Sequence, residues 1–197
     1  MTYWVIFPEI YDDGAVLSAV PEGGPQDYQY DEGKPLLKRF PSREEAVMCF
    51  DPSYPEQIKL YDFLPSLDSV LVANEKVVDL LKSLQIDKLE FLPISLWDHN
   101  NKPVSSDYYI INTLGSINFI DMEKSTYRMG AIDESQIKRI KNLVINEKAI
   151  ESSPKLFRAT TKLNQFFIHD DVRKAFEENN ITGYKLFAAE GWDGLDI

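Results

Sequence analysis

Paired carboxylates are the commonest groups in this chain that could do chemistry: Asp12/Asp13, Glu44/Glu45, Asp133/Glu134, Asp170/Asp171 and Glu177/Glu178. Acid–base catalysis needs two carboxylates converging on one cleft with divergent proton affinities, and adjacency in sequence supplies neither. Glu44/Glu45 and Asp170/Asp171 stand at expected helix starts, where the backbone dipole favours negative charge without any catalytic role. His99 falls in a turn-forming run and His169 beside a helix start, so neither shows the base-and-orienter spacing of nucleophilic catalysis. His169 reads as a surface or capping residue. Cys49 is the sole cysteine and has no histidine near it in sequence; a core-facing, inert thiol is expected. One cysteine and two distant histidines exclude an internal disulfide and a sulfur-rich zinc site. There is no phosphate-cradling glycine loop, no HExxH and no GxSxG. The expectation is a non-enzyme with no catalytic residues, no metal and no cofactor.

The remaining chemistry is that of recognition. The 197 residues include 32 acids and 21 bases, a formal charge of -11. Such a field repels phosphate backbones and anionic headgroups, so neither nucleic acid nor membrane is an expected partner. The excess is uneven: residues 1–62 hold 12 acids and 5 bases, and residues 9–32 contain no lysine or arginine. That stretch interleaves acids with Tyr11, Tyr28 and Tyr30 and with several Gly and Pro residues, which reads as a long turn-rich loop. A solvated surface loop explains it. A contact surface for a basic partner explains it too, with tyrosines supplying rigid area and carboxylates supplying steering. On the second reading the partner-binding residues are Glu9, Tyr11, Asp12, Asp13, Tyr28, Tyr30 and Asp31. Trp192 and Asp193, in the acidic C-terminal segment, form a second group, for which a frayed tail is the simpler account. Lys138-Arg139-Lys141 is the one basic cluster. It reads as the solvated side of an amphipathic element, ahead of a nucleic-acid footprint.

The elements that must carry these residues are short. Tyr3–Phe7 predicts a strand, and the capping-box spacing Ser42…Glu45 predicts a short helix through Ala46, Val47 and Cys49. Asn74 is a good N-cap for a helix in which Val77, Val78, Leu80, Leu81 and Leu84 recur at helical spacing. Strands follow at Ile86–Phe91, Tyr108–Leu114, Ile117–Ile120, Ser125–Met129, Leu143–Ile145 and Lys155–Thr160, with Asp98–Pro103 a turn and one helical turn before Ile137 and Ile140. Their close spacing suggests an antiparallel meander. Phe166–Ile168, a helix through Val172, Ala175 and Phe176, and a strand after Gly183 close the chain. Residues 70–92 and 165–187 echo each other at an offset of 95, with Val77 over Val172 and Leu81 over Phe176. The expected fold is α+β, a largely antiparallel sheet with a few short helices and two similar strand-helix-strand halves. Residues 1–60 are expected as an acidic portion packed on a body of residues 61–197, the whole one compact unit. No run approaches the ~20 apolar residues of a membrane span. The N-terminus lacks the basic region of a secretory signal, so a cytoplasmic location is expected.

Tyr108-Tyr109-Ile110-Ile111-Asn112, Ile120-Asp121 with Ser125 four residues on, Leu156-Phe157-Arg158, and Phe167-Ile168-His169-Asp170 running into Ile181-Thr182-Gly183-Tyr184 form an order of motifs. With the Val72–Lys76 helix entry, it resembles the eleventh family of immunity proteins of bacterial polymorphic toxin systems, formerly a domain of unknown function. The resemblance spans about residues 60–187. It implies a non-enzymatic antidote that occludes a cognate toxin encoded beside it, and the acidic surface suits a basic toxin. A small carboxylate-dependent hydrolase or transferase and a secretion-system adaptor are the alternatives.

Overall fold

A computed structural model describes residues 2–68 and 70–195. In chain order the elements are β1 (Tyr3–Pro8), β2 (Val47–Cys49), β3 (Phe63–Leu64), β4 (Leu71–Asn74), α1 (Glu75–Ser83), β5 (Leu89–Trp97), β6 (Pro103–Thr113), β7 (Thr126–Met129), β8 (Ile137–Asn142), β9 (Leu156–Ala159), β10 (Lys162–His169), α2 (Asp170–Glu178) and β11 (Tyr184–Ala188). Single 3-10 turns lie at Asp27–Asp31, Leu37–Arg39 and Glu147–Ile150. Mostly antiparallel sheets with two short helices make this the expected α+β fold.

The chain forms two compact units. The larger holds residues 8–114 and 180–184, and the smaller holds residues 2–7, 115–179 and 185–195. Residues 8–60 therefore share a unit with residues 61–114.

In the larger unit the sheet order is β2-β5-β6-β4-β3. β4 and β5 each pair antiparallel with β6, so they run parallel to one another with β6 between them. Helix α1 joins them as a split crossover. It starts because the Asn74 side chain accepts the Val77 N–H at 3.2 Å, and it buries Val77, Val78 and Leu81. Leu92, Ile94 and Leu96 alternate into the core along β5, where they meet Val72, Tyr108 and Ile110.

In the smaller unit the order is β11-β1-β10-β9. Here α2 joins β10 to β11, and β1 lies between them. The cap is His169, whose Nδ1 accepts the Asp171 N–H at 3.2 Å, and the buried face is Val172, Ala175 and Phe176. The two helices and their caps stand 95 residues apart, position for position. Each is entered from a strand whose outer neighbour precedes it in sequence, β3 beside β4 and β9 beside β10. The middle strand differs in origin, β6 in one and β1 in the other, and β2 has no counterpart in the smaller sheet. The smaller core is aromatic, with Tyr3, Phe119 and Phe157 edge to face at centroid distances of 5.0–5.8 Å, contacts worth about 0.5–1.5 kcal/mol each beyond burial.

Three expectations are corrected. Half of the Ser42–Glu45 box forms, with the Glu45 carboxylate accepting from the Ser42 N–H and hydroxyl while the Glu45 N–H donates to the Ser42 carbonyl, but the chain then enters strand β2, parallel to β5. Val47-Met48-Cys49 suit a pleated edge, and Met48 faces the core while Cys49 is half-buried. Burial and then the Glu22 charge push the Cys49 thiol above its ordinary range. Second, the helical turn expected before Ile137 and Ile140 does not form: Asp133–Gln136 is a hydrogen-bonded turn, with the Gln136 N–H donating to the Asp133 carbonyl, and it leads into strand β8. The ladder with β7 shifts register between Met129/Ile137 and Arg128/Arg139, and again between Tyr127/Ile140 and Thr126/Asn142. Each bulge inserts one residue, and the first makes buried Ile137 and Ile140 recur at a spacing of three and mimic a helix. Third, Ile117–Ile120 and Leu143–Ile145 form only isolated bridges.

One glycine fixes how the chain closes. Gly183 has φ +84°, and a Cβ there would lie 2.2 Å from the Phe63 carbonyl oxygen. Gly115 has a similar φ of +75° with nothing within 4 Å. Gly115→Ala should therefore cost about 1 kcal/mol from backbone strain alone, and Gly183→Ala at least about 2–3 kcal/mol, because the backbone of β3 must move. Urea unfolding of both variants measures the difference, and equal losses would show that the close approach is unimportant.

Candidate interaction surface

The acidic segment is held by a neighbour distant in sequence. Residues 11–15 run parallel to residues 59–61 through a bridge at Gly14 and Lys59. The Lys59 N–H donates to the Asp13 carbonyl, and the Ala15 N–H to that of Lys59, both at 2.9 Å. Gly14 leaves room for the rings on either side, since a Cβ there would meet the Tyr61 ring at 3.2 Å. Tyr11 stacks on Tyr61 with centroids 4.3 Å apart. The Tyr61 hydroxyl donates to Asp13 Oδ1 at 2.7 Å, and Lys59 Nζ to Oδ2 at 3.0 Å. These two bonds hold the Asp13 carboxyl below its ordinary range. Bonding to Glu9, then burial and the Glu9 charge, push the Tyr11 phenol up to about 12.

Around this cluster the surface is apolar. Ile10 is 67% exposed and Ile58 62% exposed, and Leu60 is also exposed. Asp12 points outward with no ion pair among the described residues. Exposed aliphatic area framed by rigid tyrosines and carboxylates is the composition of a protein-binding patch. It lacks the converging carboxylates that acid–base chemistry needs.

The sequence-derived residues divide. Glu9, Tyr11 and Asp13 come together around Tyr61, and Asp12 stands beside them. Tyr28, 61% exposed, and half-buried Asp31 lie on the 3-10 turn at Asp27–Asp31. Tyr30 on that turn is 1% exposed in the larger core, so it supports the loop from beneath. Trp192, 6% exposed, belongs to the smaller core and lies 5.9 Å from the Phe7 ring, with exposed Asp193 next to it. Neither buried ring offers contact area. Ile58, Lys59, Leu60 and Tyr61 were not anticipated, although two aliphatics flanking Lys59 outside any periodic pattern were a visible signal.

Both histidines have structural employment. His99 Nε2 lies 3.1 Å from the Asp51 carbonyl oxygen with its ring edge-on to Phe50, and His169 caps α2. Among the described residues no three His, Cys, Asp or Glu side chains converge as metal ligands. Nor is any helix among the described residues long and apolar enough to cross a membrane.

Behind the patch, Asp62 ties it to the fold. Its Oδ1 accepts from Asn74 Nδ2 at 2.8 Å. Its Oδ2 accepts from the Thr182 N–H at 2.8 Å, the Thr182 hydroxyl at 2.9 Å and Lys76 Nζ at 3.3 Å.

Exposed Ile10, Ile58 and Leu60 beside Tyr11, Tyr61 and the Asp12 and Asp13 carboxylates thus make an acidic, aromatic patch on the larger unit. The chain belongs to the immunity protein family Imm11, whose model matches residues 2–190. No curated protein matches it.

Burial raises the Asp62 carboxyl, but the bonds from Asn74 and Thr182 and the Lys76 charge outweigh it and leave the group below its ordinary value. A lowered folded-state pKa contributes stability above the unfolded value of about 3.9, and loses it as pH falls through the folded value. Asp62→Asn, which sets an amide donor against a donor, should cost about 2–4 kcal/mol at pH 7. The gap to wild type should narrow below about pH 4. Denaturant titrations from pH 7 to pH 3 measure it, and a gap independent of pH would show that the charge is irrelevant.

Proposed function

We propose that this chain is the antidote of a bacterial polymorphic toxin system, which binds a cognate toxin in the cytoplasm and neutralises it by occlusion, without catalysis. Membership of an immunity family supports the role. The observation that carries the mode of binding is the distribution of charge. The described residues of the larger unit include 19 acids and 9 bases, net -10, whereas those of the smaller unit include 12 of each. A basic toxin is drawn towards the larger unit, where the patch at Glu9, Ile10, Tyr11, Asp12, Asp13, Ile58 and Leu60 provides short-range contact, with Tyr28 and Asp31 as further acidic-aromatic surface. Steering raises the association rate, and apolar burial sets the lifetime of the complex.

Co-expression with the product of the neighbouring gene should rescue growth and yield a complex that copurifies; failure of both would overturn the proposal. With that partner in hand, Asp12→Lys/Asp13→Lys should slow association about tenfold at low ionic strength. The difference should shrink as salt shortens the ~10 Å screening length of 0.1 M solution. Ile10→Ala and Ile58→Ala should instead speed dissociation. Rates unchanged in all three variants would remove the patch from the interface.

A further inference from the structure

The smaller unit carries a surface of opposite sign. On the β7–β8 hairpin, buried Ile137 and Ile140 and half-buried Tyr127 and Met129 pack on the smaller core. The two bulges turn every other strand residue to solvent, leaving Arg128, Lys138, Arg139 and Lys141 all exposed. None of these four makes an ion pair among the described residues. Arg128 and Arg139 are direct partners in the ladder, so two guanidinium groups face each other across the strands. Like charges so placed are destabilising unless an anion lies between them. At the hairpin tip, Ile132 is fully exposed.

The hairpin is also anchored. The Ile137 N–H donates to the Thr161 carbonyl at 2.7 Å. Gln136 Nε2 donates to the Thr160 carbonyl, and Gln136 Oε1 accepts the Leu163 N–H, both at 3.0 Å. The backbone that carries the four cations is therefore ordered before a partner arrives, and the binding cost falls on their side chains.

We propose that the solvent face of the β7–β8 hairpin is a second docking surface, which takes an acidic, partly apolar protein segment through Arg128, Lys138, Arg139, Lys141 and the tip residue Ile132. Carboxylates fit because the paired Arg128 and Arg139 present planar donor forks to them. A nucleic acid fits less well. Tyr127, the hairpin's aromatic ring, packs on the core, so this face has no platform for base stacking. Removing these four cations from the formal charge of -11 leaves -15 on the rest of the chain, which opposes a long polyanion more than a short acidic patch. The surface lies in the unit that does not carry the toxin patch, so the inference stands or falls independently of toxin binding.

The test uses the full chain and a labelled dodecapeptide repeating Glu-Asp-Leu, beside an oligothymidylate of equal charge. The peptide should bind with an affinity that falls with salt. Arg128→Gln/Arg139→Gln should weaken it about tenfold or more, and Lys138→Gln/Lys141→Gln several-fold. Ile132→Ser should weaken it without changing the salt slope, and Lys102→Gln, on the β5–β6 hairpin of the larger unit, should leave it unchanged. The thermal midpoint of the double arginine variant should hold or rise, since a repulsion is removed; this also verifies folding. Equal peptide binding by wild type and the double arginine variant would overturn the proposal, as would no peptide binding at all. Tighter binding of the oligothymidylate would replace it with a nucleic-acid surface. Salt-sensitive self-association lost in the arginine variant, without peptide binding, would replace it with a contact between copies of this chain.

Discussion

The larger unit depends on one buried carboxylate. Asp62 immediately precedes β3, and its two oxygens collect the side chain that caps α1, the lysine in the first turn of that helix and both donors of Thr182. The backbone repeats the tie. The Asn74 N–H donates to the Asp62 carbonyl at 2.9 Å, and the Phe63 N–H to that of Thr182 at 3.0 Å. Residues 62, 74 and 182 are thus fixed together although they are far apart in sequence. A buried charge with one donor missing would be strongly destabilising, so the four donors constrain one another's positions.

The same tie positions the candidate surface. With Thr182 fixed, the Gly183 carbonyl is placed to accept the Glu9 N–H at 2.8 Å, which sets where the acidic segment starts. Tyr61 precedes Asp62, and its carbonyl accepts the buried Tyr108 hydroxyl at 2.7 Å. Tyr11 then stacks on a ring that is already held, and Asp13 reaches its hydroxyl. Much of the patch is consequently preorganised, and a partner would meet a surface whose ordering cost has been met in folding.

What was legible in the sequence followed from local physics. Both helices, the Asn74 cap and the 95-residue echo were readable because each helix satisfies a first-turn N–H with its own flanking side chain and buries a helical stripe; at α2 the acidic pair Asp170-Asp171 marks the start, but the cap itself is His169. The Ser42 box was equally local and half of it forms. Whether a helix follows was decided by β5, which offers Val47–Cys49 a free edge. Strand β8 deceived for a related reason, because the bulge between Ile137 and Arg139 converts the spacing of two between core-facing residues into a spacing of three at Ile140. The acidic stretch was visible as composition, but its geometry was not. Ile58, Leu60 and Tyr61 join it through two backbone bonds and a ring stack that leave no periodic trace. Tyr30 and Trp192 carry no local mark that separates a core ring from a surface ring.

Charge completes the picture because fold and charge divide along the same line. The two units share a helix-bearing plan, yet the described residues of one carry a net -10 and those of the other none. Selection for solubility alone has no reason to load one of two similar scaffolds, since a spread charge solubilises as well. Nor does the fold require it. Many acids of the larger unit do have structural duties, among them buried Asp62 and half-buried Glu90, whose carboxylate accepts from the Leu36 N–H and Asn112 Nδ2. Half-buried Asp98 likewise accepts from the Asn100 and Lys102 N–H groups, but uncharged acceptors could serve most of these duties. The exposed remainder, Asp12 foremost, contributes mainly to the external field. An asymmetric field orients an approaching dipolar partner before contact, and orientation is what limits association of two specific protein patches. A charge loaded on one unit in this way therefore acts on any charged molecule that approaches as well as on the fold.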